Sequence, residues 1–233
     1  MSGHSKWSTI KRKKGALDAK RGAIFTKVAN IITIAAREGG GNPETNAKLA
    51  VALEKARAVN MPNNNVERAV KRGTGEIEGV VIEPLQIEAY GPEGSAFIIE
   101  AISDNKNRTL AEIRNILDTT GGKMAGSGSV AYQFDRQGVI RLGKTSDEIE
   151  LAAIDAGAQD TKTIDGQLEV YTKPQELKKI KDLLADWQVE SADIELSPQN
   201  PLTLKPDIKA KVGKLAEALA EHDDVNEVYS NVA

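Results

Sequence analysis

Residues 85–99, LQIEAYGPEGSAFII, are where the chain changes its periodicity. Leu85, Ile87 and Ala89 alternate with Gln86, Glu88 and Tyr90, a two-residue repeat that suits a strand with one face buried and the other toward water. Gly91, Pro92 and Gly94 then turn the chain into an apolar run through Phe97, Ile98 and Ile99. The stretch is therefore expected to form a β-hairpin.

Upstream the spacing is helical. Between residues 16 and 38, Ile24, Val28, Ile31, Ile32 and Ala35 recur at i, i+4, i+7, i+8 and i+11, and Gly39, Gly40, Gly41 and Pro43 stop the pattern. A second helix is expected over 45–59 with Leu49, Leu53 and Ala56 inward. A third is expected over 64–72 on Val66, Ala69 and Val70, with Pro62 and three asparagines supplying the turn. Residues 73–84 read as a linker. Residues 1–15 show no apolar period and are expected to be disordered when alone.

Downstream, Thr109 and Glu112 have the spacing of a capping box ahead of a helix on Leu110, Ile113 and Leu117, ended by Gly121 and Gly122. A strand through Val130, Tyr132 and Phe134 is expected next. Residues 138–197 then read as strand (139–142), helix (146–156), two strands meeting at Asp165 and Gly166, helix (174–187) on Leu177, Ile180, Leu184 and Trp187, and strand (189–196). That order, βαββαβ, is ferredoxin-like. Beyond Pro198, Pro201 and Pro206 come a helix on Ile208, Val212, Leu215 and Leu219 and a short strand, which have no sheet of their own. Their apolar faces need a host, and the hairpin of 85–99 is the one the chain offers.

The expected fold class is multi-domain, α plus α+β. A basic helical domain with an amino-terminal tail spans 1–78, a discontinuous α/β middle domain spans 79–136 plus 206–233, and a ferredoxin-like insertion spans 137–205.

Charge divides along the same lines. The first 75 residues carry 15 Lys and Arg against 5 Asp and Glu, whereas the remaining 158 carry 16 against 29. Such a split describes a module that meets a polyanion, attached to an acidic body. The candidate nucleic-acid contacts are His4, Lys6, Trp7, Lys11, Arg12, Lys13, Lys14, Lys20, Arg21 and Lys27, joined by Arg68, Lys71 and Arg72 at the end of the third helix. Cations meet phosphates, and the flat face of Trp7 suits stacking on a base. The glycines at 121, 122, 126 and 128 resemble a phosphate cradle only loosely, since the Lys and Ser/Thr of a P-loop are missing; a helix stop followed by a flexible loop is the better reading.

Catalysis finds little material. There is no cysteine, and the two histidines, His4 and His222, lie in no nucleophile or metal-ligand motif. No catalytic residue, metal, cofactor or small-molecule substrate is expected. No apolar run reaches the roughly 20 residues of a spanning helix, so a cytoplasmic protein without a membrane partner is expected. The oligomeric state is left open, with a monomer compatible.

Several long motifs stand in one order along the chain: GHSKW at 3–7, DAKRGAIFTK at 18–27, GGGNPETN at 39–46 and NMPNNNVERAVKRGTGE at 60–76. They continue with YGPEG at 90–94, SDNKNRTLAEIR at 103–114, and GG with GSGSV between 121 and 130. In these the chain resembles the YebC/PmpR family, which includes the mitochondrial translational activator of cytochrome c oxidase subunit one. The resemblance implies three domains and one of two roles. One is a ribosome-associated factor, with rRNA and tRNA as partners, that assists difficult peptide-bond formation through proline-rich stretches. The other is a transcriptional regulator that binds promoter DNA.

Overall fold

Helical spacing in the first third becomes three packed helices in the computed structural model, which describes residues 17–164 and 166–233, with side-chain surroundings from residue 22 onward. They are α1 (Leu17–Gly39), α2 (Ala47–Ala58) and α3 (Asn63–Gly73). Ile24, Val28, Ile32 and Ala35 of α1 share a core with Leu49, Ala52 and Ala56 of α2 and Ala69 of α3. Each large aliphatic side chain buried there contributes about 1.5–3 kcal/mol. Asn46 ties two helix ends together: its Oδ1 accepts the Leu49 N–H at 3.1 Å while its Nδ2 donates to the carbonyls of Ala35 and Gly40, both at 2.8 Å. Where α1 crosses α3 the backbones nearly touch. A Cβ on Gly73 would lie 2.4 Å from the Thr33 carbonyl oxygen, so only glycine fits.

The chain divides into two compact units, residues 1–132 with 200–233, and residues 133–199. In the first, β1 (Glu83–Tyr90) and β2 (Ala96–Ser103) form the antiparallel hairpin, with Ile87 opposite Ile99 and Ala89 opposite Phe97. The short β3 (Lys123–Met124) flanks β1, and the terminal strand β8 (Val225–Ser230) pairs with β2, giving the order β3-β1-β2-β8. Helices α4 (Lys106–Thr120) and α7 (Pro206–Glu221) cover one face, where Ile87, Ala89, Phe97 and Ile99 meet Ile113, Leu117, Val212, Leu215 and Leu219.

The second unit runs β4 (Phe134–Leu142), α5 (Asp147–Asp155), β5 (Asp160–Ile164), β6 (Gln167–Thr172), α6 (Leu177–Leu183) and β7 (Val189–Pro198). Its antiparallel sheet has the order β5-β6-β4-β7. Ile140, Leu142, Leu168 and Val170 form its core with Ile149, Ala153, Leu177 and Ile180 of the two helices and Leu184 just beyond α6. Gly166 supplies the left-handed turn residue between β5 and β6, with φ of 80°; Asp165 lies outside the described residues.

Three local expectations are corrected. The strand expected over 130–134 is a 3-10 turn, Ala131–Gln133, before β4, because the N–H groups of Val130 and Ala131 are taken by the Glu88 carboxylate and cannot join a ladder. The capping box at Thr109 is not formed. Asn105 caps α4 by accepting the Arg108 N–H at 3.1 Å, so the helix starts earlier and Thr109 lies inside it. The helix expected over 174–187 is confined to α6, and hydrogen-bonded turns flank it: the Glu176 N–H reaches the Lys173 carbonyl and the Trp187 N–H the Leu184 carbonyl.

Candidate nucleic-acid interface

The structure separates the cations of the helical module into two sets. Lys27, on α1, donates from Nζ to the Ala220 carbonyl at 3.0 Å, in the last turn of α7, where helix carbonyls carry partial negative charge. Arg37 donates from Nη1 to the Ile82 carbonyl at 2.7 Å. Lys55 meets Glu227 of β8 at 3.7 Å in a largely buried pair. Lys48 pairs with Glu38 at 2.6 Å on the surface. Three of these four side chains fasten the helices to the sheet or its approaches.

The second set lies on α2 and α3. Arg57, Arg68 and Lys71 are exposed, and no hydrogen bond or ion pair engages them among the described residues. Arg72 is half-buried beneath Gly79, and its Nε is buried with no hydrogen-bond partner among the described residues. Arg57 had no signal in the sequence to separate it from Lys55, two residues earlier. Lys20 and Arg21 fall on the first turns of α1, while His4, Lys6, Trp7, Lys11, Arg12, Lys13 and Lys14 lie outside the described residues.

Residues 5–76 match the family described as the TACO1/YebC protein N-terminal domain, and residues 82–232 match the TACO1/YebC second and third domain. The chain belongs to the TACO1/YebC family. It is 47% identical over 238 aligned positions to a probable transcriptional regulatory protein of Thermoanaerobacter pseudethanolicus, covering 100% of this chain and 97% of that one. A probable transcriptional regulatory protein of Halothermothrix orenii is 48% identical, with 99% and 94% covered. Among solved structures, a conserved hypothetical protein from Aquifex aeolicus superposes with a TM-score of 0.86 at 38% identity, over 93% of this chain and 91% of that chain. The relatives bear regulatory names, not enzymatic ones. Among the described residues no helix is long and apolar enough to cross a membrane.

Elsewhere in this TACO1/YebC chain, the groups that look most like ligand sites are occupied by the protein itself. The glycine-rich loop after β3 is not the loose segment expected from sequence. Glu88, 5% exposed, reaches into it and accepts N–H bonds from Gly128 at 2.6 Å, Val130 at 2.7 Å and Ala131 at 3.0 Å. Burial pushes this carboxyl upward, but the backbone donors outweigh it and hold it below its ordinary 4.5. The loop's donors already hold an anion.

Glu112, His222 and Asp224 stand close enough to suggest a metal site. The Nδ1 lone pair of His222 and one carboxylate oxygen of Asp224 are otherwise committed. The Asp224 N–H donates to His222 Nδ1 at 3.1 Å, which leaves the proton on Nε2, directed at Glu112 2.9 Å away. The Asp224 carboxylate accepts from Thr109 Oγ1 at 2.6 Å and from Arg108 Nη2 at 2.9 Å. Burial raises its pKa, and the bonds from Thr109, Arg108 and Ser103 reverse this to a net lowering. A ring whose second nitrogen accepts an N–H has the wrong polarity for a metal-bound imidazole, which donates from that atom.

Proposed function

We propose that this protein is a non-enzymatic, nucleic-acid-binding regulator of gene expression, acting in the cytoplasm as a translation factor on the ribosome. In this reading it contacts rRNA, and tRNA beside it, and assists synthesis through proline-rich stretches. Three working parts carry it: the basic helical domain (1–78), the α/β middle domain (79–136 with 206–233) and the ferredoxin-like insertion (137–205). His4, Lys6, Trp7, Lys11 to Lys14, Lys20 and Arg21 form the main grip, with Arg68, Lys71 and Arg72 behind it. Lys27 belongs to this set by charge alone, since its ammonium is held by Ala220.

The observation that carries the reading is the charge division: a net of +10 over residues 1–75 against −13 over the rest. A polyanion attracts the first and repels the second, so the body stays outside the groove that the module enters. No catalytic, metal or cofactor role is included. The test is ribosome co-sedimentation across a salt series, with crosslink mapping of residues 1–27. Neutralising about five phosphates on single-stranded RNA gives a slope of log affinity on log salt near −3.5. A salt-independent association refutes the mechanism.

The relatives' name, probable transcriptional regulatory protein, favours a second reading, a regulator that binds promoter DNA. Binding to promoter duplexes and to ribosomal subunits at one salt concentration separates the two. Tight promoter selectivity selects the second.

A further inference from the structure

We infer that the outer face of α3, carrying Asn64, Arg68 and Lys71, is a contact surface for unpaired RNA; this deepens the proposed RNA-binding role and rests on it. Residues 64, 68 and 71 stand at i, i+4 and i+7, one stripe along the helix, and all three are exposed. Asn65 lies beside them, three residues before Arg68. The opposite side of α3 carries Val66, Ala69 and Val70 into the core of the module.

Two observations single out this stripe. The first is the partition of cations. Lys27, Arg37, Lys48 and Lys55 each have an acceptor within the chain, whereas Arg68 and Lys71, like Arg57 on α2, have none among the described residues. A cation released from no internal pair meets a phosphate without first breaking a bond. The second is rigidity. Gly73 packs against the Thr33 carbonyl and Ala36, and Thr33 Oγ1 lies 3.1 Å from the Ala69 carbonyl while sharing its proton with the Ala29 carbonyl at 2.8 Å, so α3 packs closely against α1 on its inner side. A fixed helix presents its outer side chains in one geometry, which lowers the ordering cost of binding.

The chemistry of the stripe selects the ligand. Asn carries an acceptor and two donors on a two-carbon reach, suited to a base edge that comes close to the helix surface. In paired A-form RNA the major groove is too deep and narrow for this, whereas loops and bulges expose their base edges. Arg68 can meet a phosphate or lie flat on a splayed base, and Lys71 serves as a point charge. Glu67, exposed on the flank, repels the backbone from that side and sets the direction of approach.

The test uses the full chain and three fluorescein-labelled probes: an RNA hairpin with an unpaired loop, a fully paired RNA duplex and a DNA duplex. Circular dichroism checks that each variant is folded. For the hairpin, Arg68→Ala with Lys71→Ala lowers the salt slope by about 0.7 to 1.4, one or two single-strand phosphates. Asn64→Ala leaves the slope unchanged and weakens hairpin binding by about 5- to 150-fold. Lys48→Ala, whose cation pairs with Glu38, changes neither quantity. If the double variant keeps the wild-type slope while alanines at Lys11, Arg12, Lys13 and Lys14 abolish binding, the α3 surface is overturned and the RNA-binding reading stands. If the wild type binds the DNA duplex in preference and the α3 variants lose that binding, the RNA assignment is overturned. If the wild type binds no probe and no ribosomal subunit, the proposed function itself falls.

Discussion

Replacing Arg141 with Met tests a deeply buried charged group at the centre of a polar network in the second unit. Arg141 is 4% exposed on β4, on the sheet face opposite α5 and α6, and its guanidinium holds two carboxylates from neighbouring strands. Nη1 and Nη2 donate to the two oxygens of Glu195 at 2.6 and 2.8 Å, and Nε donates to Glu169 Oε1 at 2.9 Å. Glu169, 2% exposed, also accepts from the Tyr171 hydroxyl at 2.8 Å. Burial alone would lower the arginine's proton affinity, but Glu195 and Glu169 outweigh it and keep the group charged; burial and then Glu169 push the Tyr171 hydroxyl upward. Removing the guanidinium leaves two carboxylates uncompensated in a dry site, a loss of about 3–5 kcal/mol. At roughly 0.05–0.15 kcal/mol per residue, a unit of this size has about 3–10 kcal/mol in total. Arg141→Met should therefore cut amide protection in β4, β6 and β7 by about 100- to 5,000-fold in native-state hydrogen exchange, to the limit set by the unit's own stability. Adding Glu169→Leu and Glu195→Leu removes the stranded charges and should restore most of the protection, since buried ion networks and apolar replacements of similar volume are often close in energy. A loss below tenfold for the single variant, or a triple variant no better than the single one, refutes the reasoning.

Glu88→Gln should destabilise the first unit by about 1.5–3 kcal/mol, because an amide replaces one of two accepting oxygens with a donor that faces backbone N–H groups. Since the folded carboxyl titrates below its ordinary 4.5, its contribution is present above that pH and fades as pH falls through the lower folded value; thermal melts from pH 7 down to 3 should show this slope in the wild type and a flatter one in the variant. Gly73→Ala should cost about 1–3 kcal/mol by forcing α1 and α3 apart. By contrast Gly22→Ala, in α1 with nothing within 4 Å of the added methyl, should stabilise by about 0.5–1 kcal/mol in the same melts. Excess zinc should leave the melting temperature unchanged, because His222 and Asp224 are already engaged; an upward shift abolished by His222→Ala would contradict that assignment.

What the sequence discloses depends on whether a residue's surroundings are local. The α1 stripe is legible because Ile24, Val28, Ile32 and Ala35 repeat at helical spacing and all four are buried. The hairpin is legible because its register follows from its own turn, Gly91 to Gly94. Glu88 is misleading for the same reason. It falls in the polar row of β1 with Gln86 and Tyr90 and reads as solvent-facing, yet a loop some forty residues later folds over it. Arg141 sits in an apolar strand pattern, and its partners arrive from β6 and β7 only once the sheet is assembled. The turn at 131–133 depends on Glu88, so missing one meant missing the other. Lys27, Arg68 and Lys71 look equivalent as charges, and nothing in their neighbours along the chain tells which of them is held internally.

That last distinction changes how the charge of the module should be interpreted. A count of +10 over the first 75 residues treats every cation as available to a polyanion. Lys27, Arg37 and Lys55 instead hold the helices to the sheet and its flanking segments through Ala220, Ile82 and Glu227. Salt separates the two roles, because exposed charges are screened over a Debye length of about 8 Å at physiological ionic strength while partly buried pairs are screened much less. If the proposed RNA-binding role holds, raising salt should thus release nucleic acid from the exposed stripe and the amino-terminal cations while leaving the helices attached. A salt series that loosened both together, read by hydrogen exchange in α1 and β8 alongside binding, would mean that the buried pairs do not anchor the module, and apolar burial alone would have to do so.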